Sequence, residues 1–143
     1  QVVLADSFEG LPVPDVDRYP DDGAFSEAEV GRFAAGLDEV RQNLALYGML
    51  DDQIEFVEGW FEDSLPGLRN RTWAVLRLDG DLYQSTMDCL ENLYDGLSQG
   101  GFVIIDDYVL PPCQKAVHEF RERRGITDEI VSIDWAAVFW RRT

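Results

Sequence analysis

Acidic side chains follow four stretches of the sequence that are predicted to be β-strands, at the point where each stretch ends. They are Asp6, Glu58, the pair Asp79 and Asp81, and the pair Asp106 and Asp107. The carboxyl ends of parallel strands meet at one edge of an open α/β sheet, and ligands bind there. A single acid at such a position has a second interpretation as a helix cap or turn residue. Two neighbouring clusters of acids require a further explanation, because like charges brought together cost free energy unless something neutralises them.

A hard divalent cation would neutralise these two clusters. Mg²⁺ prefers oxygen ligands and keeps several of its waters when it binds to protein carboxylates. We expect Asp79, Asp106 and Asp107 to supply three ligands. Asp81 would face the same side if the extended backbone continues past the strand, and it could then act as a general base. The alternative is an acidic rim that holds no metal.

The other strand ends carry the residues of a nucleoside site. An acid after the second strand of a dinucleotide-type sheet accepts hydrogen bonds from ribose hydroxyls, and Asp6 follows such a strand. The segment Gly59-Trp60-Phe61 follows the next strand and offers backbone amides and aromatic surface for a purine. The alternative for Trp60 and Phe61 is that both side chains belong to the core.

The elements that must position these residues alternate between strand and helix. Continuous apolar runs predict strands at 2–5, 54–57, 73–78, 102–105, 130–133 and 137–141. Helical spacing of apolar residues predicts helices at 26–47, with Ser26 and Glu29 as a capping box, and at 85–97 and 112–124. The pattern is typical of an α/β fold with a mostly parallel sheet covered on both faces, in one domain over 1–143, and the last two strands predict an antiparallel hairpin.

One long connection, residues 9–23, is rich in proline and acidic residues and is predicted to be a loop. It lies between the first predicted strand and its helix. One interpretation is a merely solvated loop.

Length and charge exclude several classes of function. The 143 residues suffice for one domain, and 45% hydrophobic residues allow a packed core. Twelve basic against 28 acidic side chains give a net charge of −16, which argues against a nucleic acid or an anionic membrane as partner. No apolar run approaches the roughly 20 residues that span a bilayer. Cys89 and Cys113 are expected to be isolated thiols in a reducing cytoplasm, with a single disulfide as the alternative.

Four segments of the chain, in the right order, resemble one known family. They read ADSFEGLP (5–12), GWFEDSLP (59–66), RLDGDLYQST (77–86) and GGFVIIDDY (100–108). They are similar to the macrocin O-methyltransferase family, and the similarity extends from residue 2 to residue 142. The resemblance implies a class I methyltransferase fold, S-adenosylmethionine and Mg²⁺ as cofactors, and methylation of a sugar hydroxyl on a small-molecule glycoside. The resemblance also implies that the loop at 9–23 is a lid or a partner contact, because loops at this place in the family help to cover the active site. A homo-oligomer is left open.

The resemblance also assigns residues by position. Asp6 would bind the cofactor ribose, and Ser7 and Phe8 would line the same pocket. Gly59, Trp60 and Phe61 would surround the adenine. Asp79 would belong to the cofactor and metal sites together, Asp106 and Asp107 would complete the metal site, and Asp81 would be the general base.

The start of the chain departs from the family pattern. The sequence opens directly on an apolar strand, and the family's first strand and glycine-rich loop have no counterpart in it. We therefore expect that an N-terminal part is missing and that its strand belongs between the strands at 2–5 and 73–78.

Two readings from other classes remain open. Asp79-Gly80-Asp81 and the pair Asp106-Asp107 mimic the motifs of a haloacid dehalogenase-like, Mg-dependent phosphohydrolase. That chemistry needs a lysine between the two motifs, and Lys115, the only lysine, follows both. The second alternative is an inactive, truncated scaffold that serves only for oligomer contacts.

Overall fold

The computed structural model describes residues 1–25 and 33–143. In the described ranges the strands are β1 (Val2–Asp6), β2 (Ile54–Glu58), β3 (Trp73–Leu78), β4 (Leu97–Ile105), β5 (Val131–Ser132) and β6 (Val138–Arg141). The α-helices there are α1 (Leu37–Leu46), α2 (Phe61–Ser64), α3 (Tyr83–Leu93) and α4 (Pro111–Arg124). Short 3₁₀ turns cover Pro20–Ala24, Leu65–Leu68 and Tyr94–Gly96.

The strands form two sheets. β1 and β2 pair in parallel, in a register that runs from Val2 opposite Ile54 to Asp6 opposite Glu58. The second sheet has the order β3-β4-β6-β5, in which β3 and β4 are parallel and the other pairs are antiparallel. The predicted α/β fold and its antiparallel C-terminal hairpin are therefore confirmed.

Helices α3 and α4 cover one face of the four-stranded sheet. Alternate strand residues point into this core, as period-two geometry requires, and they include Val103, Ile105 and Trp140, all 0% exposed. The opposite face leaves Val75 and Phe102 51% and 37% exposed. The prediction that both faces are covered is thus not met by the part of the chain that the structure describes.

The two sheets are separated by a cavity of about 1560 Å³, which residues of both β1 and β3 line. Within the described residues, β1 pairs only with β2 and β3 pairs only with β4. Even so, Val3, Ala5 and Val57 pack against the main core, so the small sheet belongs to the same hydrophobic unit. The strand expected between β1 and β3 stays a prediction.

The predicted helix at 26–47 is shorter in its described part. Residues 26–32, with the predicted capping box, lie outside the described residues. Helix α1 begins at Leu37, because Gly36 has an extended backbone with φ −60° and ψ 149° and acts as its N-cap. Glycine is a poor helix former, so a break there is inexpensive. Phe33 and Tyr47, two of the apolar residues whose helical spacing predicted this helix, are 63% and 75% exposed.

Other boundaries shift by a few residues. The predicted helix at 85–97 ends as α3 at Leu93 and continues as a 3₁₀ turn, and β4 then begins at Leu97. The loop at 9–23 contains most of a 3₁₀ turn with a proline in its first turn, a position that suits the fixed φ of proline. Gly125 caps the C-terminal end of helix α4, and its φ of +63° is the left-handed conformation that ends many helices.

Two further predictions concern the chain as a whole. Cys89 and Cys113 are both free and buried, so the prediction of isolated thiols is confirmed. Among the described residues, none of the helices is long and apolar enough to cross a membrane.

Candidate cation and cofactor site

The acidic residues after β3 and β4 meet because these two strands are parallel neighbours. Leu78 and Ile105 are the last pair in register, and the amide of Asp106 continues the pairing with a 2.9 Å hydrogen bond to the carbonyl of Leu78. Asp79 and Asp106 therefore begin two loops that leave the sheet side by side. This arrangement is the one that the sequence predicted.

Three carboxylates form a compact group at this edge. One oxygen from each of Asp79, Asp81 and Asp107 lies within 4.8 Å of the oxygens from the other two. Three oxygen ligands at this spacing, with room for water, are the donor set that Mg²⁺ or Mn²⁺ accepts. The side chains present thus fit a hard divalent cation.

Asp81 reaches this group through an unusual backbone conformation. Its φ is +55°, in the left-handed region that residues with a side chain seldom adopt. Its amide donates a hydrogen bond to Oδ2 of Asp107 at 3.2 Å, which helps to hold the turn. Residues held in sparsely populated conformations cluster at functional sites, where the surrounding structure supports them.

Burial and mutual repulsion raise the pKa values of the group. The pKa of Asp79 rises to about 6, first through burial and then through the negative charges of Asp107 and Asp106, against the opposing effect of Arg77. Burial also raises the pKa values of Asp81 and Asp107, and each has a neighbouring carboxylate as its next cause. A bound cation would relieve this repulsion.

Asp106, predicted to be a third ligand, lies outside this group of three. Its Oδ2 accepts a 2.6 Å hydrogen bond from Nη2 of Arg77, and the same nitrogen lies 3.3 Å from Oδ2 of Asp79. Arg77 is not among the residues predicted from the sequence. The strand register would have pointed to this ion pair. Arg77 is opposite Ile104, and Asp79 and Asp106 follow two residues further along their strands, so the three side chains share one face of the sheet.

The end of β1 is a tight turn that the predicted cofactor residues form. Oδ1 of Asp6 accepts the amide of Phe8 at 2.7 Å, and Phe8 has a φ of +57°. The hydroxyl of Ser7 donates to the carbonyl of Gly10 at 2.8 Å and accepts the amide of Glu9 at 3.1 Å. Ser7 and Phe8 are buried, whereas Asp6 is exposed.

The end of β2 lies directly beside this turn. The amide of Gly59 donates to the carbonyl of Asp6 at 2.9 Å, and its φ of +138° is accessible to glycine. Trp60 and Phe61 follow, both half-buried. Phe61 packs against the main core, so the core interpretation holds in part for this residue.

Both groups of predicted residues face the same cavity. Its lining includes the β1 and β2 ends and the acidic group, namely Asp6, Ser7, Phe8, Trp60, Phe61, Asp79, Asp81 and Asp107. Gly59 and Asp106 adjoin the cavity lining without being part of it. The cavity therefore joins a nucleoside-type turn to a cation-type cluster.

The fold is that of the class I methyltransferases. The solved structure of the O-methyltransferase NovP superimposes with a TM-score of 0.91 at 46% identity and covers 99% of this chain. The calicheamicin methyltransferase CalS11, at 24% identity and a TM-score of 0.73, shares the fold.

The chain belongs to the macrocin O-methyltransferase (TylF) family, whose model matches residues 1–142. It is 52% identical over its whole length to an 8-demethyl-8-(2,3-dimethoxy-alpha-L-rhamnosyl)-tetracenomycin-C 4'-O-methyltransferase of Streptomyces olivaceus. It is 47% identical over 99% of its length to the mycinamicin III 3''-O-methyltransferase of Micromonospora griseorubida. The chain spans 55% and 57% of these two relatives and 59% of the NovP chain.

Proposed function

We propose that the protein to which this chain belongs transfers a methyl group from S-adenosylmethionine to a sugar hydroxyl of a glycosylated natural product, with Mg²⁺ as a second cofactor and Asp81 as general base. The observation that supports it most directly is the compact group that the Asp79, Asp81 and Asp107 carboxylates form at the carboxyl ends of the strands. The relatives add support, since the curated ones are named as O-methyltransferases of a rhamnosyl tetracenomycin and a mycinamicin.

The cofactor would lie along the ends of β1 and β2. One carboxylate oxygen of Asp6 is used by the Phe8 amide, which leaves the second oxygen to accept a ribose hydroxyl. Ser7 and Phe8 would form the wall beside it, and Gly59, Trp60 and Phe61 would surround the adenine. When bound, S-adenosylmethionine supplies an electrophilic methyl group on a sulfonium.

The cation would be held by carboxylates from the ends of β3 and β4. Asp79 and Asp107 contribute one oxygen each from the compact group. Asp106 would join them once its ion pair with Arg77 opens. When bound, Mg²⁺ lowers the pKa of a sugar hydroxyl and fixes its orientation.

Asp81 would take the proton of the attacking hydroxyl. Its carboxylate is half-buried beside Asp79 and Asp107. Burial raises its pKa, which makes the ionised form a better proton acceptor. A positioned base of this kind contributes about 10² to 10⁴ in rate.

The setting follows from the same residues. We place the reaction in the cytoplasm, because both cysteines are free thiols, whereas oxidising compartments outside the cytoplasm favour disulfides. The phosphohydrolase reading is not favoured, since the chain belongs to a methyltransferase family.

Calorimetry on the full-length protein tests the proposal. We expect S-adenosylhomocysteine to bind, and a methyl group to be transferred to a deoxysugar glycoside only when Mg²⁺ or Mn²⁺ is present. Asp6→Ala should weaken S-adenosylhomocysteine binding by about 10- to 100-fold, the loss expected for a hydrogen bond to a charged group. Glu58→Ala removes the acid opposite Asp6 in the register and serves as the matched control.

Failure has two distinct forms. Phosphatase activity without S-adenosylhomocysteine binding would favour the hydrolase class. Absence of both would leave the scaffold reading.

A further inference from the structure

We propose that Asp22, in the acidic segment before α1, is a positioning residue that fixes the start of helix α3 and through it the Asp81 turn. The inference rests on the proposed function, in which Asp81 accepts a proton. It extends that function to a residue 59 positions earlier in the chain.

Asp22 caps a helix to which it does not belong. Its Oδ1 accepts the amide of Tyr83 at 2.5 Å and its Oδ2 accepts the amide of Gln84 at 3.2 Å. These are the first two amides of α3, whose own N-cap residue is Leu82, with an apolar side chain. The first amides of a helix have no partner within the helix, so the carboxylate of Asp22 replaces the missing cap.

The burial of this carboxylate shows that the contact is built into the fold. Asp22 is 0% exposed, and an ionisable group in that position is costly unless it is well hydrogen-bonded. Burial raises its pKa, while the amides of Tyr83 and Gln84 act in the opposite direction. The positive end of the α3 dipole also favours the ionised carboxylate.

The segment around Asp22 is attached at two further points. Nζ of Lys115 on α4 lies 2.6 Å from Oδ2 of Asp21. The rings of Tyr19 and Tyr83 lie with their centroids 5.8 Å apart, and the hydroxyl of Tyr83 donates to Glu119 at 2.6 Å. The Pro20–Ala24 turn therefore bridges α3 and α4, so this part of the predicted loop is docked on the domain rather than merely solvated.

This attachment reaches Asp81 through one intervening residue. Asp81 precedes Leu82, which is 1% exposed, and its left-handed φ of +55° must be held from both sides. Asp107 holds the amide of Asp81 on one side, and Asp22 holds the amides of Tyr83 and Gln84 on the other. Without Asp22 the first turn of α3 can fray, which lets Asp81 relax and move away from Asp79 and Asp107.

The test compares Asp22→Asn with Asp21→Asn in the full-length enzyme. Asn keeps the size of the side chain and one acceptor, so the protein should fold, whereas its amide NH₂ cannot accept the second backbone amide. Asp21→Asn removes the same charge from the adjacent residue and breaks only the surface pair with Lys115. We expect Asp22→Asn to speed amide hydrogen exchange in peptides covering 80–86 and to lower kcat about tenfold or more. The KM for S-adenosylmethionine should stay within about twofold, and Asp21→Asn should change neither quantity.

The possible outcomes separate this inference from the proposed function. Unchanged exchange in 80–86 would overturn the capping role, and faster exchange with an unchanged kcat would overturn the positioning role. If the wild-type enzyme transfers no methyl group, the proposed function fails. The Asp22 inference is then decided by amide hydrogen exchange, which Asp22→Asn should still speed in peptides covering 80–86 and which an unaffected variant would contradict.

Discussion

Nη2 of Arg77 lies 2.6 Å from Oδ2 of Asp106 and 3.3 Å from Oδ2 of Asp79. One guanidinium thus holds carboxylates from the ends of two neighbouring strands. Arg77 occupies the position of a counter-ion for the acidic edge, and it also engages the acid that was expected to bind metal. A cation and Arg77 therefore compete for Asp106.

Replacing Arg77 should strengthen cation binding. Arg77→Gln frees Asp106 and removes a positive charge next to the site, so we expect Mn²⁺ to bind about three- to fivefold more tightly, since a charge at about 4 Å in high dielectric is worth about 1 kcal/mol. Titration calorimetry or Mn²⁺ paramagnetic resonance measures the change. Arg123→Gln is the matched control. The side chains of Arg123 and Arg77 are 57% and 58% exposed, and each has a carboxylate oxygen at 2.6 Å. Equal affinities in wild type and Arg77→Gln would exclude the competition.

The roles of Asp81 and Asp107 can be separated by two substitutions. Asp81→Asn should lower kcat by about 10² to 10⁴, the contribution of a general base, with Mn²⁺ and S-adenosylhomocysteine affinities within about threefold of wild type. Asp107→Ala should lose both Mn²⁺ binding and turnover. Initial rates and calorimetry on the same preparations provide the comparison. Loss of Mn²⁺ binding in Asp81→Asn to the extent seen in Asp107→Ala would identify Asp81 as a ligand instead of a base.

Asp88 on α3 should make stability depend on pH. Burial, followed by the charge of Glu62, raises its pKa to about 6 from the ordinary value of 3.8, against the opposing effect of Arg18. The ionised form is therefore disfavoured in the folded state, and the stability that depends on this group falls as the pH rises from about 4 to about 6.

Asp88→Asn removes that penalty. We expect the variant to be more stable than wild type by about 1 kcal/mol at pH 7.5, a value reduced from the full shift because the side chain is only half-buried. At pH 4 the difference should vanish. Urea unfolding at both pH values measures it, with Asp63→Asn on α2 as the control for loss of one negative charge. A constant difference across the range would contradict the assignment.

Gly96 allows the chain to pass close to the segment before β3. A Cβ at this position would overlap the carbonyl oxygen of Arg71, and backbone there cannot easily move. We expect Gly96→Ala to cost about 1 to 3 kcal/mol in the free energy of unfolding, as overpacking does. Gly67→Ala is the matched control, since a Cβ there meets no atom within 4 Å. Thermal unfolding of the two variants compares them, and equal midpoints would contradict the close approach.

The sequence predicted the fold well wherever one local pattern decided the structure. Apolar runs ending in acids located β1 to β4, because a buried strand needs a continuous apolar stretch and its loop begins at a polar residue. The helix at 112–124 was predicted to within one residue, since proline marks its start and Gly125 its end. The similarity of four sequence segments to the family then added Ser7 and Phe8, which local patterns alone would not have selected.

The parts that could not be predicted depend on contacts between distant segments. Asp22 is one of many acids in its loop, and only the folded chain shows that it meets α3. Arg77 was overlooked because ion pairs depend on strand register, which apolar runs do not reveal. The prediction of helix over 33–36 was wrong, because apolar residues recur at helical spacing on both sides of Gly36, although the backbone there is extended.

The division of the strands into two sheets affects how this polypeptide must be handled. β1 and β3 each have one edge whose peptide groups have no strand partner in the segments that the structure describes. Such exposed edges pair with extended chains of other molecules. A preparation limited to these 143 residues should consequently self-associate with rising concentration. Light scattering over a dilution series would register it.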